Sequence, residues 1–154
     1  MKIAGLKKRP EAETNEKLRE TYLQFEKLLN ELEKRELTDN IIVSINKEIN
    51  GLNAIPGSDK NLRKQITKVQ ADIIKLVEKE LKLVPKNYYR NLWLAIGLAV
   101  FGLPVGVIIG LTLHNMAFLG IGLPMGLAVG IAIGTGMDKK AQEEGRQLDI
   151  ELKN

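Results

Sequence analysis

The sequence contains no cysteine, which excludes disulfides, thiolate metal sites and cysteine nucleophiles and leaves the redox compartment open. It has a single histidine, His114, with no acid near it in sequence, so a metal site or catalytic triad on it would have to be built between subunits. Ser44 and Ser58 are the only serines, neither stands in a nucleophile elbow, and no phosphate-cradling glycine loop follows a strand. Charge is missing as well. From Asn91 to Met137 there is no Asp, Glu, Lys or Arg, and an apolar region without a carboxylate argues against a proton-coupled pump. An enzyme, a bound cofactor and a metal site are therefore not expected.

What is present divides the chain into two kinds of sequence. All charged residues lie in the first ninety positions and the last seventeen, and the net charge is +4. Residues 138–154 carry four basic and five acidic groups, so the excess sits upstream, where bases alternate with acids and form no stripe. That pattern suits a cytoplasmic face near anionic lipid better than a nucleic-acid groove. Lys2, Lys7, Lys8 and Arg9 form the one acid-free basic cluster, and without an apolar h-region or a small-residue cleavage site no signal peptide is expected.

An uncharged run of 47 residues is too long for one crossing of a hydrocarbon core about 30 Å thick and fits two helices. His114-Asn115 is the only adjacent polar pair in the run, which places the turn there and the spans at 92–113 and 116–137. Lys86 and Arg90 precede the first span, Lys139, Lys140 and Arg146 follow the second, and the turn carries no Lys or Arg. Both termini are therefore expected in the cytoplasm. Tyr88, Tyr89 and Trp93 cluster where the first span starts and are expected to anchor it at the membrane interface.

Glycines punctuate both spans at four-residue intervals, Gly102, Gly106 and Gly110 in the first and Gly122, Gly126, Gly130 and Gly134 in the second. A mid-helix glycine costs about 1 kcal/mol relative to alanine in water. In a membrane it permits close backbone packing, which drives association where lipid tails are as apolar as leucine. The two rows can serve each other within one hairpin. With Gly97, Gly120, Gly136 and many alanines off the rows, they also offer capacity for packing between subunits, so a homo-oligomer is expected. GLPVGVIIG at 102–110 reappears as GLPMGLAVG at 122–130. Pro104 and Pro124 each remove a helical hydrogen bond and are expected to kink their helices, either as bends of packed helices or as the paired interruptions found at transporter sites.

Two such spans ending in GIAIGTGMDKKAQEEGRQL resemble small, uncharacterised bacterial glycine-zipper membrane proteins with two transmembrane helices. The similarity covers the C-terminal third to half of the chain, concerns packing more than activity, and carries over no functional residue. It implies a bacterial inner-membrane location.

Upstream, Leu18, Tyr22, Phe25, Leu29 and Leu32 step by four and three, and Leu62, Ile66, Val69, Ile73 and Leu76 repeat the stepping. Between them Ile41, Ile42, Ile45, Ile49 and Leu52 outline a shorter helix that Thr38 or Asp39 would cap and Pro56-Gly57 would end, and Ser58 or Asp59 would cap the third. The expected organisation is all-α. A cytoplasmic helical bundle or coiled coil occupies 1–85 (helices about 12–37, 39–53 and 58–84), an interfacial linker 86–91, a transmembrane hairpin 92–137 and a cytoplasmic tail 138–154. Pro85 ends the last soluble helix or marks a joint. In the tail, Leu148, Ile150 and Leu152 alternate with polar residues, a strand-like or partner-binding signal as compatible with disorder as with structure.

Three functions fit this organisation. A homo-oligomeric channel or pore would use Thr112, His114, Asn115 and Thr135 as its few polar groups and gate by dewetting. A membrane-anchored scaffold or adaptor would recruit a cytoplasmic protein through residues 1–84. A holin-like lytic protein needs only the hairpin and a charged tail. The repeated Gly/Pro spans exceed what anchoring requires and place the channel first among these expectations.

Overall fold

The computed structural model describes residues 2–10, 12, 15–56 and 59–152. It is mostly helical, 76%, and divides into two compact units, one formed by Met1–Val84 with Leu148–Asn154 and the other by Pro85–Gln147.

The first unit holds helices α1 (Glu16–Glu33), α2 (Asp39–Ala54) and α3 (Asp59–Leu81). Asn15 begins α1 by accepting the Leu18 N–H at 3.2 Å, an N-cap bond to one of the otherwise orphaned first-turn donors. Lys34 closes that helix with its N–H on the Leu32 carbonyl, so α1 stops short of the expected residue 37. The expected start near residue 12 falls partly on residues outside the described set, as does the cap expected at Ser58 or the Asp59 side chain. Thr38 takes the N-cap position of α2 through its extended backbone, without a side-chain bond. Both α1 and α2 pack on α3. Leu18, Phe25, Leu32, Ile45, Ile49, Leu62, Ile66 and Ile73 are fully buried there.

The third stripe departs from strict heptad stepping. Ile74 and Val77 are buried, and Leu76 is half-exposed, because a straight helix of 3.6 residues per turn drifts away from a 3.5-residue repeat within two or three turns. Its face is that of a globular core helix.

Strand β1 (Val84–Lys86) pairs with β2 (Gln147–Glu151). The alternation at the end of the chain is thus a strand, with Leu148 and Ile150 buried and Asp149 and Glu151 exposed. The all-α expectation gives way at this point to one small sheet. Residues 138–154 are no single tail either, since the helix before them continues to Glu143 and only the strand joins the first unit. Lys82 at φ 57° turns the chain out of α3 ahead of Pro85, which lies inside β1.

The second unit is a helical hairpin. Its first rod runs from Tyr88 to Thr112 as α4 (Tyr88–Ile96), a π-helical turn (Gly97–Gly102) and α5 (Leu103–Thr112). Its second rod opens with a 3-10 turn (Met116–Phe118) and continues as α6 (Leu119–Glu143). Rods of 25 and 28 residues rise roughly 37 and 42 Å. Both are long and apolar enough to cross a membrane.

Candidate functional site in the glycine-faced hairpin

The turn between the rods is built by the polar pair the sequence singles out. His114 takes the left-handed conformation, φ 51°. The His114 N–H donates to Leu111 O at 3.2 Å and the Asn115 N–H to Gly110 O at 2.9 Å, the double bond pattern that closes a helix C-terminus. Asn115 then accepts the Ala117 N–H at 2.9 Å and starts the second rod. Both side chains are exposed.

From this turn the rods run side by side with glycine against backbone. A Cβ added at Gly106 would stand 2.5 Å from the Leu119 carbonyl oxygen, one at Gly126 2.5 Å from the Gly97 oxygen and 2.6 Å from the Gly102 Cα, and one at Gly134 2.5 Å from the Arg90 Cα. Gly122 faces the backbone of Gly102 and Gly106, and Gly130 faces the Trp93 carbonyl, closer still. Real Cβ atoms do not approach backbone so closely, so each of these positions requires glycine. Gly110 differs, because its neighbour is the Sδ of Met116 at 3.0 Å, the movable end of a side chain. Gly120 and Gly136 have nothing within 4 Å. The seven row glycines thus meet inside the hairpin and are buried there.

Gly97 joins them, although its five-residue distance from Gly102 puts it off the row on an ideal helix. The π-helical turn supplies the reason. The Leu103 N–H reaches back five residues to Leu98 O, and the extra residue accommodated by this wider turn returns Gly97 to the face of Gly102. Pro104 lies just past the turn, in the first residues of α5, whereas Pro124 sits inside the uninterrupted α6. The two halves of the repeat are therefore alike in sequence and different in local structure.

At the other end of the rods Asp138 is 7% exposed. Its Oδ1 accepts the Tyr89 N–H at 3.0 Å and its Oδ2 the Arg90 N–H at 2.9 Å. These are first-turn donors of α4, whose own N-cap residue, Asn87, is left-handed and makes no side-chain cap bond. A carboxylate there also complements the positive end of the helix dipole. Side-chain spacing does not point to this cap, because the carboxylate and the two N–H groups it serves stand 49 and 48 residues apart. The only trace is that Asp138 is the first charge after the apolar run. Tyr88 and Tyr89 meet edge to face with ring centroids 5.2 Å apart, beside the half-buried Trp93. Arg146 hydrogen-bonds Glu144 at 2.6 Å and Tyr89 as well, which raises its pKa.

Of the polar groups, Thr112, His114 and Asn115 lie at one end of the hairpin and Thr135 at the other. Thr112 Oγ1 donates to the Ile108 carbonyl of its own helix at 2.8 Å and lies by the turn with His114 and Asn115. Thr135 adjoins Gly134, which packs on Tyr89 and Arg90 at the opposite end. Among the described residues no group of three or more His, Asp or Glu side chains is placed to hold a metal ion. The outward surface carries Val100, Phe101, Ile108, Leu111 and Met125, with Ile108 63% exposed. Set against known protein families, curated protein sequences and solved structures, the chain has no match.

Proposed function

We propose that this protein is a membrane-anchored helical module. The hairpin inserts in a bilayer with its turn outside, and the first unit acts as a cytoplasmic platform for protein contacts. The observation that carries this reading is the closure of both glycine rows on each other within one chain. That closure leaves large aliphatic side chains as the outer surface, a contiguous apolar shell that water does not tolerate on a soluble protein and that lipid covers. Orientation follows from Lys86, Arg90, Lys139 and Lys140 at one end and an uncharged turn at the other. A bacterial inner membrane agrees with the resemblance noted above.

This ordering differs from the one drawn on sequence, where a channel came first. A ring of subunits needs outward small-residue faces, and only Gly120, Gly136 and scattered alanines point away from the partner rod. The channel retains one supporting observation, the π-helical turn ahead of Pro104, since such bulges leave carbonyls without regular partners.

The absence of native cysteine makes the test clean. In right-side-out vesicles, Asn115→Cys should react with an impermeant maleimide and Lys140→Cys should not. Purified protein in planar bilayers should show no current steps across voltage, pH and tension. Labelling of Lys140→Cys from outside would remove the orientation, and currents altered by Pro104→Ala would replace the anchor with a channel.

A further inference from the structure

Residues 2–9 form no helix and no strand, yet four of their backbone polar groups are bonded to asparagine side chains of α2. Asn46 on α2 donates from Nδ2 to Lys2 O at 3.0 Å and accepts the Ala4 N–H on Oδ1 at 2.6 Å. Asn53 repeats the pattern, donating to Gly5 O at 3.2 Å and accepting the Lys7 N–H at 2.8 Å. A carbonyl at one residue and an N–H two residues on are the groups that a single residue of a parallel neighbouring strand would engage. Each asparagine amide therefore replaces one residue of such a strand.

The two readers are in register with what they read. Seven helical residues rise roughly 10.5 Å, and three extended residues span roughly 10 Å, so amides at 46 and 53 meet equivalent groups three positions apart. Arg9 sets the end of the register. Its Nη2 donates to Leu52 O at 3.2 Å and Ile55 O at 2.7 Å, at the C-terminus of α2 where carbonyls lack helical partners and carry partial negative charge. Ile3 and Leu6 are half-buried and border the shallow clefts beside Leu29 and Leu32 of α1, while Lys2, Gly5, Lys7 and Lys8 are exposed. The segment thus lies in a groove between α1 and α2, held by backbone contacts and selected by Ile3, Leu6 and Arg9.

We propose that this groove is a binding site for an extended peptide, and that its partner is segment 2–9 of a second copy of the chain. The geometry argues for that occupant, because the groove already fits this segment at four backbone atoms, two apolar side chains and a guanidinium. An identical segment from another copy makes the same contacts, and the covalent link decides only which one arrives at the higher effective concentration. Exchange of the segment joins first units in pairs without drawing on the hairpin glycines.

Proline supplies the test, since it removes the N–H that each asparagine accepts. Full-length Ala4→Pro/Lys7→Pro protein in nanodiscs should bind a fluorescent peptide of residues 2–9 at least tenfold more tightly than wild type. Adding Asn46→Ala and Asn53→Ala should cost at least tenfold of that gain. A tagged double-proline chain should capture untagged wild type far better than untagged double-proline chain. Equal peptide affinity for wild type and double-proline protein, binding that survives loss of both asparagines, or equal capture would overturn the proposal. If the double-proline chain fails to fold, hydrogen exchange on wild type decides. Millimolar peptide should accelerate exchange at the Ala4 and Lys7 amides by displacing the resident segment, and unchanged rates would refute exchange.

Discussion

A carboxylate that places one oxygen on each of two neighbouring N–H groups fixes the start of a helix through two charge-assisted bonds, and Asp138 does this across the hairpin for α4. Asp138→Ala should destabilise the hairpin by about 1–2 kcal/mol, and Asp138→Asn, which keeps one acceptor oxygen, by less. Denaturation by SDS, followed by circular dichroism from a mild detergent, measures both. An alanine variant as stable as wild type would deny Asp138 any capping role. Two glycines offer a matched contrast. Gly122→Ala drives a methyl into the backbone of Gly102 and Gly106 and should cost about 1–3 kcal/mol in the same titration. Gly136→Ala meets open space and should gain up to about 1 kcal/mol of helix propensity. The glycine rows were legible in the sequence because four-residue spacing maps directly onto one helix face. The Asp138 cap was not, since its partners are backbone N–H groups that every residue but proline carries and that leave no signature in a side-chain pattern.

Among the elements, the π-helical turn makes the least intuitive prediction. Deleting one residue from a packed helix rotates everything on one side of it by about 100°, which ordinarily removes a whole face from contact. Deletion of Ala99 should instead convert Gly97–Gly102 to a plain helical turn, leave Gly97 four residues from its neighbour in the row and keep the rods packed. Deletion of Val107, outside the turn, should disrupt the packing. The same SDS titration, run on each deletion, separates the cases, and equal loss of stability in the two would remove the account of the bulge. The major helices were readable from apolar periodicity, with ends uncertain by a few residues. The five-residue step from Gly97 to Gly102 is plain in the sequence, but a regular-helix template assigns the extra residue to the wrong face. Strand β2 was ambiguous for a different reason, as period-two alternation over five residues identifies a strand only when a pairing partner is known, and β1 is three residues long with a proline inside.

On the scale of the whole molecule, the first unit is drawn from two distant stretches of chain, and the link between them contains a titratable group. The Asp149 N–H of β2 donates to Glu31 Oε2 of α1 at 3.1 Å. The Lys34 ammonium paired with the same carboxylate, aided by that N–H, holds the Glu31 pKa below the ordinary glutamate value against a smaller opposing effect of burial. A lowered folded-state pKa means that the contribution is full above the ordinary glutamate value and fades as pH falls below it and through the folded one. The melting temperature of wild type should therefore exceed that of Glu31→Gln at pH 7 and draw closer to it as the pH is lowered past the ordinary glutamate value, and a constant gap would show that the carboxylate charge is not involved. The division of the unit also has a temporal side. Leu148 and Ile150 complete a core whose other members precede Pro85, yet a ribosome making about 5–20 residues per second needs roughly 3 to 12 s to add Pro85–Gln147 before it reaches them. During that interval α1–α3 exist as a nascent domain with its last strand still unmade. Resistance of nascent α1–α3 to protease should appear only after both apolar helices have left the exit tunnel, so that folding of the first unit reports the completion of the hairpin.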